Sequence, residues 1–129
     1  MAARTAEVLF APGAVAFCDA PSWDTWWLDL LFKYGDVPGR IVLLDVTHAY
    51  GEACRPLLRL LPPPEAPNRD QAKERVRSLT LELVARAQEQ EALRPGTHHR
   101  ALPDAESLWR TWRSVGELVA EQLAKEPAP

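Results

Sequence analysis

Ser22-Trp23-Asp24-Thr25-Trp26-Trp27-Leu28-Asp29-Leu30-Leu31-Phe32-Lys33-Tyr34-Gly35 holds three of the chain's five tryptophans. Trp23, Trp26, Trp27, Leu30, Leu31 and Tyr34 recur at helical spacing and so share one face. Leu28 and Phe32, one turn apart, form a second apolar pair off that face. A helix with one apolar face docks on its own core, whereas a second face implies a second neighbour. The Trp23 face reads as the core-facing one, which leaves Leu28 and Phe32 for another surface. Ser22 is the expected N-cap and Gly35 the expected left-handed stop.

On either side of this helix the pattern changes to short apolar runs. Val8-Leu9-Phe10 and Ala14-Val15-Ala16-Phe17-Cys18 flank Ala11-Pro12-Gly13, where Pro followed by Gly suits a type II turn and suggests a small hairpin or bent strand. Ile41-Val42-Leu43-Leu44-Asp45-Val46, after the turn at Asp36-Val37-Pro38-Gly39, is the best strand candidate, its aliphatic run fitting a strand covered on both faces. Strand, helix, strand in so short a span resembles a βαβ unit, with an all-helical core as the alternative. Thr47 or Gly51 opens a short helix in which Pro56 fits only the first turn, and Leu57, Leu58, Leu60 and Leu61 are expected to be buried.

Pro62-Pro63-Pro64-Glu65-Ala66-Pro67 marks the clearest boundary and favours an extended polyproline II spacer. Beyond it, Asn68 with Gln71 resembles a capping box opening a helix to about Arg94. Ala72, Val76, Leu79, Leu83 and Ala87 form its seam. Pro95-Gly96 stops it. Asp104 is the expected cap of a last helix with the seam Ala105, Leu108, Trp112, Val115 and Val119, and Gly116 marks a place for close backbone approach. The short connection suits antiparallel neighbours. The expected organisation is a compact N-terminal α/β part (1–61), a proline-rich spacer (62–67) and an antiparallel helical hairpin (68–129), together one cooperative α+β, predominantly helical domain.

A chain of 129 residues suffices for one domain with a real core. Hydrophobic residues at 47% and charged residues at 26% lie near the globular average. The formal charge of −3 argues against phosphate-backbone binding, which wants a basic excess. The basic residues from Arg69 to Arg113 are interleaved with glutamates, as on a solvated face, so nucleic acid is not an expected partner. Two cysteines, Cys18 and Cys54, make no disulfide framework and suit a reducing, cytoplasmic setting. No run reaches the roughly 20 apolar residues of a membrane span. Arg4 with Val8 to Cys18 imitates a signal peptide, but Glu7, Pro12-Gly13 and Pro21 interrupt it, and the segment reads as structure.

Three constellations could carry chemistry. Asp19 and Asp45 would end strands of a small parallel sheet, where ligand sites gather, with His48 beside them for proton or metal work. The plainer reading of both aspartates is that they cap turns and helices. Cys54 would gain thiolate character in the first turn of a helix, or else be a buried small hydrophobe. His98-His99 could ligate a metal only with converging groups from elsewhere. Pro12 to Phe17 with the aromatic helix and following strand resembles the opening of permuted papain-like hydrolases, but Gly39-Arg40 stands where that family places its histidine. That likeness assigns no site residue here.

The expected function is therefore non-enzymatic: a small interaction or assembly subunit, cofactor-free and without a membrane role, that binds a protein partner or itself. Trp26, Trp27, Phe32, Trp109 and Trp112 are the interface candidates, since tryptophans anchor interfaces. The alternative is a small hydrolase or metal-dependent enzyme using Asp19, Asp45, His48 or Cys54.

Overall fold

The computed structural model describes residues 14–35, 41–95 and 101–126. Val8-Leu9-Phe10, the Pro12-Gly13 turn, Gly39-Arg40 and His98-His99 lie outside the described residues. Along the chain run β1 (Val15–Cys18), α1 (Pro21–Gly35), β2 (Val42–Asp45), α2 (Val46–Cys54), a 3-10 helix (Arg55–Leu60), α3 (Arg69–Ala92) and α4 (Ala101–Lys125). The class is α+β and predominantly helical. The chain divides between His48 and Ala49 into two compact units.

In the N-terminal unit β1 and β2 pair in parallel, Val15 opposite Val42 and Cys18 opposite Asp45, with α1 as the crossover. This is the βαβ arrangement, reduced to two strands. Helix α1 begins two residues earlier than its sequence suggests. The Ala20 carbonyl accepts both Trp23 N–H and Asp24 N–H at 3.0 Å, so Ala20 and not Ser22 is the N-cap. Pro21 then takes the first helical position, where its missing N–H costs nothing.

Which face of α1 docks is also reversed. Pro21, Asp24, Leu28 and Phe32, spaced by about one turn each, are half-buried, and α1 packs on both strands. The half-burial of Leu28 and Phe32 identifies that side as the one toward the sheet. The Trp23 face points the other way. A two-stranded sheet of four-residue strands is too narrow to cover a stripe of three indoles, while Leu28 and Phe32 fit it. On the sheet itself Val15, Phe17 and Val42 share the face away from the helix and are exposed.

The C-terminal unit holds every buried residue among those described: Ala49, Tyr50, Cys54, Leu57, Val76, Leu83, Ala87, Thr111, Val115, Leu118, Val119 and Leu123. Helices α3 and α4 pack on each other, and the 3-10 helix packs on both. The α3 seam is as expected: Val76, Leu83 and Ala87 are buried, Ala72 and Leu79 half-buried. On α4 the seam is displaced. Thr111, Val115, Leu118 and Val119 are buried, while Ala105 and Trp112 are exposed. Thr111 is tolerated inside because its hydroxyl donates to the Ser107 carbonyl at 3.0 Å.

Ion pairs tie the two helices. Arg110 meets Glu91 at 2.7 Å, and Arg75 meets Glu126 at 3.0 Å. Glu91 is the more enclosed of its set, its side chain 11% exposed, and also receives Arg94 at 3.0 Å. The Arg110 contact holds its carboxyl below the usual range despite partial desolvation. Asn68 precedes α3 without a side-chain cap bond, so the expected capping box is not formed; its carbonyl instead accepts Ala72 N–H at 3.0 Å. Helix α4 begins at Ala101, which places Asp104 inside the first turn rather than at the cap.

The proline run is bent rather than extended. Ala66 N–H donates to the Pro63 carbonyl at 3.0 Å, Arg69 N–H to the Ala66 carbonyl at 3.1 Å, and the Arg69 guanidinium to the Pro62 carbonyl at 2.7 Å. Leu57 is 0% exposed, whereas Leu58, also expected inside, is 52% exposed. A six-residue 3-10 helix has three residues per turn, so adjacent leucines diverge by about 120° and cannot all face inward. Accordingly Leu57→Ala is expected to lower unfolding free energy by about 2–5 kcal/mol and Leu58→Ala by about 0.5 kcal/mol or less, read from urea denaturation.

Candidate functional site

The outward face of α1 is the feature that the fold leaves unexplained. Trp23 is 68% exposed, Trp26 52%, Trp27 55%, Leu31 63% and Tyr34 83%, with Leu30 half-buried among them. Trp26 and Trp27 stack edge to face, ring centroids 4.7 Å apart and planes at 67°. That geometry stiffens the two rings against each other. The charged residues of α1, Asp24, Asp29 and Lys33, lie outside the stripe. Scattered exposed apolar residues are ordinary on a protein surface, whereas a contiguous exposed aromatic patch is a candidate contact surface.

Of the expected contact residues, Trp26 and Trp27 sit on this stripe. Phe32 lies on the sheet-facing side of the same helix and is half-buried. Trp109 and Trp112 are exposed on α4, 53% and 43%, and the Arg113 guanidinium lies 5.0 Å from the Trp109 ring centre in a cation–π contact. Gly116, one turn beyond Trp112, has open space around it rather than a neighbouring backbone. Trp23, Leu31 and Tyr34 are exposed on the same stripe, whereas the sequence reading turns them toward the core. The signal was the narrowness of the sheet: two four-residue strands cannot cover both faces of a fifteen-residue helix.

The residues of the enzymatic alternative have structural positions. The parallel register brings Asp19 and Asp45 to the same end of the strand pair. Asp45 is the N-cap of α2: its Oδ1 accepts Thr47 N–H at 2.8 Å and the Thr47 hydroxyl at 2.6 Å. These bonds hold its carboxyl below the ordinary aspartate range, with a lesser contribution from His48. His48 Nδ1 lies 3.2 Å from the Asp45 carbonyl oxygen, to which an Nδ1–H tautomer donates. Cys54 ends α2 in the C-terminal unit, buried, and its thiol is pushed up by burial, with Thr80 opposing. The thiol of Cys18 is pushed up to about 11, by burial first and then by Asp24. Both thiols are thus held in the protonated, weakly nucleophilic form. Among the described residues no group of three or more His, Cys, Asp and Glu side chains converges as a metal site.

No protein-family model matches this chain, and neither a curated protein nor a solved structure is similar to it. No helix among the described residues is long and apolar enough to cross a membrane.

A cap has a pH signature that distinguishes it from a poised acid or base. The folded-state pKa of Asp45 is depressed, so its stabilisation is present above the unfolded aspartate value and is lost as pH falls through the folded value. Asp45→Ala is therefore expected to lower the denaturation midpoint at pH 7, with the gap to the parent closing below about pH 4. Asp45→Asn, which caps without charge, is expected to recover much of that loss.

Proposed function

We propose that this chain is a non-enzymatic interaction or assembly subunit that buries the aromatic face of α1 against a protein partner. The observation that carries this reading is an imbalance between the two units. The N-terminal unit has no fully buried side chain among its described residues, yet it presents Trp23, Trp26, Trp27, Leu31 and Tyr34 together on one helix. Helix α1 covers the strand pair on one side, and its own outward aromatic face is where further cover would add stability. At about 25 cal/mol per Å² of apolar area, a partner covering several aromatic rings would contribute a substantial part of its binding energy there.

The α3–α4 pair is read as the antiparallel hairpin that makes the second element of the assembly. Its ion pairs join Glu91 to Arg110 and Arg75 to Glu126, an order that runs opposite ways along the two helices. Trp109 with Arg113, and Trp112 beside the open ground at Gly116, give α4 an aromatic strip of the kind that anchors interfaces. A reducing, cytoplasmic setting fits two free thiols.

Acrylamide quenching and emission wavelength, measured together with absolute mass along a dilution series, test this reading. The monomeric species is expected to emit at long wavelength with strong quenching, and any complex to shift to the blue. A folded monomer whose tryptophans are already blue-emitting and protected from quencher would sink it.

A further inference from the structure

We infer that the occupant of the α1 stripe is a second copy of this chain, bound about a two-fold axis with the two α1 helices antiparallel. This rests on the reading of α1 as a contact surface and names what covers it. The first argument is area. With aromatic side chains burying roughly 150–250 Å² each, the exposed portions of the three tryptophans, Leu31 and Tyr34 offer about 700 Å² per copy. Two stripes face to face remove about 1,400 Å², within the roughly 1,200–2,000 Å² of stable specific interfaces.

The second argument is the order of residues along the stripe. A two-fold contact is self-complementary: if residue i meets residue j, then j meets i. The stripe positions 23, 26, 27, 30, 31 and 34 are symmetric about the point between 28 and 29. Antiparallel pairing about that point sets Trp23 against Tyr34 of the second copy, Trp26 against Leu31 and Trp27 against Leu30. Each indole meets an aliphatic or phenolic partner, and no indole is forced onto its own copy. The third argument is charge. A two-fold contact brings identical groups together, which a charged stripe resists, but Asp24, Asp29 and Lys33 all lie off this one. Opposed helix dipoles in the antiparallel pair add a small favourable contribution.

The test is absolute mass by light scattering across a micromolar dilution series, on the full chain. The wild type is expected at twice its 14.4 kDa chain mass. Trp26→Glu and Leu31→Lys are each expected to be monomeric while the C-terminal unit keeps its helical circular dichroism, because both sites are exposed and lie outside that unit. Mixing these two variants is expected to restore a dimer, since Glu at 26 then faces Lys at 31 across the axis while the second Trp26–Leu31 contact stays native. Leu81→Glu, at an exposed position of α3 given no contact role, is expected to leave the dimer intact. A dimer that survives Trp26→Glu, or a mixture that stays monomeric, overturns the proposed pairing. A wild-type monomer with quencher-accessible tryptophans overturns self-association while leaving α1 as a surface for a foreign protein. A wild-type monomer with shielded tryptophans overturns both.

Discussion

Helix α1 has apolar side chains on two faces, and the described residues of its own unit provide one narrow sheet. Everything specific about this protein follows from that mismatch. Leu28 and Phe32, with the small Ala16 and the half-buried Leu43 available on the strands, make the docking that the sheet can accept. Among the described residues of this unit, the three indoles on the other face have nothing comparable to lie on. The tryptophans are turned outward because the alternative docking would leave most of their area uncovered in any case.

The C-terminal unit meets the opposite condition. Helices α3 and α4 with the 3-10 helix provide enough surface for Leu57, Val115 and Val119 to be wholly enclosed. Its enclosed carboxylate, Glu91, is matched by Arg94 and Arg110, so little polar character is buried without a partner. The turns of the proline run, pinned by Arg69 on the Pro62 carbonyl, belong to this unit as well.

Local signals in the sequence were legible where the answer is local. Pro56 at the start of a helix, the α3 seam, the stop near Arg94 and both described strands follow from spacing and backbone chemistry. The direction of a helix face is different, because it depends on how much surface lies opposite. That is why the Trp23 face was read inward, why the α4 seam was placed on Trp112 instead of Thr111, and why Gly116 was given a neighbour. A polar Thr111 looks unfit for a core until its hydroxyl is seen bonded to the Ser107 carbonyl one turn back. Asp45 illustrates the converse. Its position at a strand end invited a chemical role, but the Thr47 two residues later makes it a cap, and that pattern was readable.

The parallel pairing of β1 and β2 has a kinetic meaning. Val15 finds Val42 only after the intervening helix has closed the loop, so the sheet cannot form from neighbouring residues as a hairpin does. Only four residue pairs reward that closure, and none brings a fully buried side chain with it. The amide protons of these strands are therefore expected to exchange with solvent more readily than those of the α3 and α4 helices, where the buried side chains lie.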